Sequence, residues 1–148
     1  MQLIKAQSAL LSNYEVLRLI EERQQVQNET KAQDPDSVYP ENLLTIQHEL
    51  SEYLKNTPCS TQTPEQVQQF LEAFSQFELT RAEKLQILNL RPRSTVDIYL
   101  IIEECEERFG EEDLDSMLNI IATTLPRDDD YQIEEEEEGE DQDMEQEE

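Results

Sequence analysis

Two glycines, Gly110 and Gly139, are all that 148 residues contain. An all-β chain of this length needs more of them for its tight turns, whereas a helical bundle needs few. Cysteine is as scarce. Cys59 falls in a polar loop and Cys105 on an expected helix, so the pair makes no disulfide framework and a reducing, intracellular compartment is the simpler reading. No apolar run reaches the roughly eighteen residues of a membrane-spanning helix. Met1 to Leu11 lacks the long apolar core of a signal peptide. His48 is the sole histidine, and with two scattered cysteines it assembles no tetrahedral zinc set at normal spacing. Nothing positive marks a Cys–His nucleophilic pair, and His48 reads as a solvated helix residue. A glycine-rich phosphate loop and an Asp-x-Asp-x-Asp-Gly calcium loop are both missing. No catalytic residue, metal or cofactor is therefore expected, and the chain reads as a non-enzyme.

Basic residues are the other shortage. Eleven Lys and Arg face 36 Asp and Glu, for a net charge of -25. Residues 127–148 hold 14 acidic and one basic side chain, a net -13, which leaves -12 on residues 1–126. So acidic a body repels phosphate, and direct nucleic-acid binding is not expected. No short basic cluster offers a nuclear import signal.

What the chain does have is helical punctuation. Met1 to Leu11 places Leu3, Ile4, Ala6, Ala9, Leu10 and Leu11 in a pattern neither two-fold nor helical, which predicts an extended segment. Ser12 or Asn13 can cap a first helix to about Asn28, with Val16, Leu17 and Ile20 as its stripe, Tyr14 at the edge, and a largely polar distal half. A polar linker, Glu29 to Tyr39, leads to Pro40 and a helix carrying Leu43, Leu44, Gln47, Leu50 and Leu54. Thr63-Pro64-x-Gln66 is a capping box, followed by Val67, Phe70, Leu71 and Phe74. Thr80 and Glu83 form another box, opening a helix that Arg91-Pro92 ends, because a residue before proline avoids the α region. Ser94 with Asp97 starts the next. Every residue from Val96 to Ile102 except Asp97 is apolar. Apolar positions all round a helix imply burial on most sides, so Thr95 to Arg108 reads as the central helix of the bundle. After Gly110, the residues Leu114, Met117, Leu118, Ile121 and Leu125 give the cleanest periodicity, closed by Pro126.

The fold class is thus all-α, one bundle of about six helices over residues 12–126. An extended segment over residues 1–11 precedes it. An acidic tail over residues 127–148 follows, with too little apolar surface to offset the entropy of folding. The expected core is Phe70, Leu85, Leu88, Val96, Leu100, Leu118 and Ile121. The run Glu103, Glu104, Glu106, Glu107 suits the wet side of a helix. Arg91 suits either C-terminal capping or a partner's carboxylate.

The run Leu79-Thr80-x-Ala82-Glu83-Lys84-Leu85-Gln86-x-Leu88-Asn89-x-Arg91-Pro92, continued by Val96 and by Ile101-Ile102-Glu103-Glu104-x-Glu106-Glu107-Arg108-Phe109, resembles the smallest stalk subunit of nuclear RNA polymerase III. That family is also called the calcitonin gene-related peptide receptor component protein. Its relatives are the fourth-largest subunit of RNA polymerase II and their counterpart in the archaeal enzyme. The likeness extends more weakly to Leu11-Ser12-Asn13-Tyr14-Glu15-Val16.

The resemblance implies a non-catalytic, nuclear subunit in an obligate heterodimer with a larger, sheet-containing stalk subunit that contacts RNA. Polymerase core and initiation factors are the further implied partners. So is a role in initiating small non-coding RNA genes. The bundle it implies is related to a nucleic-acid-binding domain at the C-terminus of some helicases and ribonucleases, and the acidic charge here argues that the binding has been lost. Relatives place their N-terminal end against the partner, so Leu3, Ile4, Leu10, Leu11 and Tyr14 are the expected docking residues. An extended segment can pair with a sheet edge and seat alternate side chains in pockets. Leu90, Arg91 and Pro92 at the helical corner are expected to help. No membrane partner is expected. The tail alone would suggest an acidic chaperone or adaptor for basic proteins such as histones, and the family's other name suggests an adaptor for a membrane receptor.

Overall fold

The structure, a computed structural model, describes residues 9–127. Seven α-helices cross them: α1 (Asn13–Gln33), α2 (Glu41–Lys55), α3 (Pro64–Ala73), α4 (Arg81–Leu90), α5 (Thr95–Ile101), α6 (Cys105–Arg108) and α7 (Glu111–Thr124). Two 3-10 turns, Pro58–Thr61 and Phe74–Gln76, follow α2 and α3. There is no strand among the described residues, and the all-α expectation holds. The extended segment and the tail were expected largely on residues 1–8 and 128–148, which lie outside the described residues.

Four helices start with the same local device. Ser12, Thr63, Thr80 and Ser94 each accept a hydrogen bond from the backbone N–H three residues on, while that residue's side chain accepts from the cap's own N–H. Each such cap contributes about 0.5–2 kcal/mol. Helix α1 continues to Gln33 rather than stopping near Asn28. A Gln25–Glu29 side-chain bond of 2.9 Å and Lys31 in the last turn support the extra length.

Two cores result. The larger gathers α3 to α7 around Phe70, Phe74, Ile87, Leu88, Ile98, Ile102, Cys105, Leu114, Met117, Ile121 and Leu125. All four phenylalanines of the chain meet in sequence: Phe70 and Phe74 at 4.3 Å between centroids, Phe74 and Phe77 at 5.6 Å, Phe77 and Phe109 at 6.3 Å edge-on. The smaller core packs Tyr14, Leu17 and Ile20 at the start of α1 against Leu54 at the end of α2 and Cys59, so the two helices run antiparallel. Val67 touches both cores. The Gln62 side-chain amide donates to the Leu88 carbonyl at 2.9 Å and joins the turn after α2 to α4.

The expected central helix also differs. Residues 95–108 do not form a single buried rod. The helix breaks at Ile102, which is extended, and resumes after Glu104, which is left-handed at φ 51. Val96 and Leu100, expected in the core, are 64% and 81% exposed. At about 100° per residue, Ile98, Ile101, Ile102 and Cys105 share one side of the helix while Val96 and Leu100 sit opposite. The bundle covers only the first side. Phe70, Leu88 and Ile121 are buried as expected, and Leu85 and Leu118 are half-buried.

Candidate partner-docking surface

The corner between α4 and α5 is built by Arg91. A residue ahead of proline cannot extend the right-handed helix, and Arg91 turns left-handed at φ 48, ψ 67. A residue with a side chain is disfavoured there by about 1–2 kcal/mol. The compensation is visible: its N–H bonds the Ile87 carbonyl at 2.8 Å, and its Nε donates to the Leu125 carbonyl at 2.6 Å. Arg91 is only 5% exposed, and Pro92 is buried beside it. The end of α7 is thereby fastened to the corner. The backbone N–H groups of Arg93 and Ser94 both donate to the Asp97 carboxylate at 3.2 Å. Hydrogen bonding to Ser94 foremost, and then to the Arg93 backbone, holds that carboxyl below the usual range.

Around this frame the surface is apolar. Leu90, Val96 and Leu100 are largely exposed, and Tyr99 partly so. A cavity of about 420 Å³ opens between Gln86, Leu90, Arg91, Pro92, Arg93, Asp97, Leu100 and Ile101.

Arg108 holds α5 and α6 in the broken geometry that leaves those side chains outward. Its guanidinium bonds the Glu83 carboxylate at 2.6 and 3.3 Å and the carbonyls of Glu78 at 2.7 Å and Glu103 at 3.0 Å. It also lies over the Phe109 ring, 5.2 Å from the centroid. Glu83 is buried and accepts from the Thr80 cap as well. Arg108 foremost, with the Thr80 bonds, lowers the Glu83 carboxyl to about 2. Burial pushes the Cys105 thiol up.

The second apolar opening lies at the start of α1. A groove of about 780 Å³ runs between Ala9, Leu10 and Tyr14 on one side and Val67, Leu71, Leu85 and Leu88 on the other, with Arg81 and Lys84 at its rim. The Asn13 N–H donates to Asn89 Oδ1 at 2.9 Å, which sets the start of α1 next to the residue before Leu90. The expected docking residues Leu10, Leu11 and Leu90 are exposed and are brought to neighbouring sites. Tyr14 and Arg91 serve the chain's own packing, Tyr14 in the smaller core and Arg91 through Leu125. Leu3 and Ile4 lie outside the described residues.

Sequence reasoning missed the outward face of Val96 and Leu100, with Tyr99 at its edge, although the helical angle opposing Val96 and Leu100 to Ile98 and Ile102 was available as a signal. Among the described residues no group of three or more His, Cys, Asp or Glu could hold a metal ion, and no helix is long and apolar enough to cross a membrane.

Fold and surface together define an acidic, helical bundle with an apolar corner at the end of α4 and an apolar groove along it. The family model described as RNA polymerase Rpb4 matches residues 10–125, from the groove through the corner to the end of α7. The chain belongs to the RNA polymerase Rpb4 family. A Schizosaccharomyces pombe protein named DNA-directed RNA polymerase III subunit rpc9 is 38% identical over 130 residues, covering 85% of this chain and 100% of that protein. A Dictyostelium discoideum protein of the same name is 28% identical over 127 residues, 82% of this chain and 87% of its own length. In Saccharomyces cerevisiae the similarity to subunit RPC9 is 40% over 63 residues, 43% of this chain and 39% of that one.

Proposed function

We propose that this chain is a non-catalytic subunit of DNA-directed RNA polymerase III and forms the enzyme's stalk as a heterodimer with a larger, RNA-contacting subunit. The observation that carries the reading is the 38% identity along the whole length of the fission-yeast protein bearing that subunit name. Residues 1–11 are the docking segment, residues 12–126 the helical bundle and residues 127–148 an acidic tail. Leu3, Ile4, Leu10 and Leu11 engage the larger subunit, and exposed Leu90 adds to the contact at the corner that Arg91 and Pro92 shape. The net charge of -25 favours protein over nucleic-acid contact. The protein works in the nucleus, with the polymerase core and initiation factors, in starting transcription of small non-coding RNA genes. Affinity capture of the tagged full chain from nuclear extract, read by mass spectrometry, tests this. Recovery of the polymerase III subunits is expected. Recovery of histones or other basic proteins without polymerase subunits would sink the reading.

A further inference from the structure

We propose that the groove between the start of α1, α3 and α4 is a docking site for a short, acidic, amphipathic helix of a partner protein. Its geometry suits a helix. Val67 and Leu71 line it one turn apart on α3, and Leu85 and Leu88 line it on α4. From Arg81 to Leu88 the α4 wall runs about 10 Å, the length over which a second helix places apolar side chains at i, i+3 or i+4 and i+7. The lips stand in solvent, since Leu10 is 71% and Leu71 47% exposed. So open a groove, about 780 Å³ in volume, receives one side of a helix rather than enclosing a small molecule. Charge selects the occupant. In a molecule of net charge -25, the rim carries Arg81 and Lys84. Among the described residues neither side chain has a hydrogen bond or an ion pair. Glu15, the one carboxylate lining the groove, accepts from the Ser12 N–H and hydroxyl at 2.7 and 3.0 Å. Glu83, between the two cations in sequence, is bound to Arg108 at 2.6 Å. Glu72, next to Leu71, accepts from Gln68 at 2.8 Å. Carboxylates beside an apolar stripe are therefore drawn to this rim and repelled by the acidic surface elsewhere. A second copy of this chain would bring another -25 and is disfavoured as the occupant.

The site does not depend on the polymerase reading, and its test uses none of that enzyme's subunits. The probe is a fluorescent synthetic peptide of about fourteen residues, with leucines at i, i+3, i+4 and i+7 and glutamates on the flanks. A second peptide carries lysine in place of every glutamate. Each is titrated into the full chain and read by fluorescence anisotropy. The glutamate peptide should bind saturably in spite of the like net charge. Arg81→Gln with Lys84→Gln should weaken it about fivefold, and Leu71→Ala should weaken it as well. Arg23→Gln with Lys31→Gln removes the same charge from exposed positions on α1 away from the groove and should leave the affinity unchanged. All these side chains are exposed or half-buried, so melting temperatures should stay within a degree or so of the unsubstituted chain. In the isotope-labelled chain, the glutamate peptide should move the amides of residues 67–71 and 81–88 and leave those of α2 fixed. Three results would overturn the proposal: no saturable binding of the glutamate peptide, equal weakening by the α1 and α4 charge variants, or moved amides confined to other elements. Tighter binding of the lysine peptide to the same groove would equally overturn it, because the rim would then not select an acidic partner.

Discussion

The α1–α2 hairpin and the α3–α7 bundle both carry helical apolar spacing, to opposite effect. In the bundle, Leu114, Met117, Ile121 and Leu125 repeat along α7 and all four are buried. In α2 the residues Leu43, Leu44, Leu50 and Leu54 follow the same helical spacing, interrupted by Gln47, yet only Leu54 is buried. No residue from 21 to 50 is buried at all. The difference lies in what stands opposite. Helix α7 meets α3 and α5 with aromatic and branched side chains, whereas most of α2 faces α1, whose distal half is polar apart from Val26 and Ala32. Periodicity specifies a helix and its apolar side. Whether that side is dry depends on a neighbour that periodicity does not describe.

Substitutions break the comparison in order of size. Phe74→Ala in the bundle should cost about 3–5 kcal/mol in denaturant unfolding. Ile46→Ala on α2 should stay within about 0.5 kcal/mol. Equal losses would show one continuous core. Next is α5, where the two sides of a single helix reproduce the contrast. Ile98→Ala should cost about 2–4 kcal/mol. Leu100→Ala should change stability by no more than about 0.5 kcal/mol while weakening association with the proposed larger stalk subunit. A large loss of stability at Leu100 would restore the buried-rod reading.

Arg91→Ala removes the side-chain bond to the Leu125 carbonyl and leaves that buried acceptor unpaired, at a cost of about 1–3 kcal/mol. Hydrogen exchange should quicken first at the end of α7. The smallest effect is the pH dependence of the Arg108 clasp. The folded Glu83 carboxyl sits at about 2, below its ordinary 4.5. Its contribution is present in full above about 4.5 and is lost as pH falls toward 2. The stability advantage of the unsubstituted chain over Glu83→Gln should therefore be constant from neutrality to about pH 5 and shrink below it. An advantage that grows on acidification would contradict the clasp.

Local chemistry made much of this legible. The caps at Thr63, Thr80 and Ser94 were readable because both halves of each box lie within four residues. The stop at Arg91-Pro92 was readable because proline constrains its own predecessor. What escaped depends on distant partners. Arg108 reaches Glu83 and Glu78, 25 and 30 residues away, and with them the break at residues 102–104. Arg91 reaches Leu125 across 34 residues. The apolar run at 96–102 was readable as a helix, but the bundle provides neighbours on one side only. Of the proposed docking residues, Leu10 was legible as an apolar side chain outside the helical repeats and Leu90 as one at the helical corner. The helical angle sets Val96 and Leu100 opposite Ile98, but an all-apolar run does not say which of the two sides the neighbours cover.

The most direct measurement is calorimetric titration of the larger stalk subunit into the full chain and into a chain lacking residues 2–11. Loss of Leu3, Ile4, Leu10 and Leu11 should weaken association at least about tenfold, about 1.4 kcal/mol. The melting temperature of the bundle should be unchanged, because Leu10 and Leu11 are exposed in it. Equal affinity in the two chains would contradict docking through this segment, and a collapsed bundle would show that it belongs to the core.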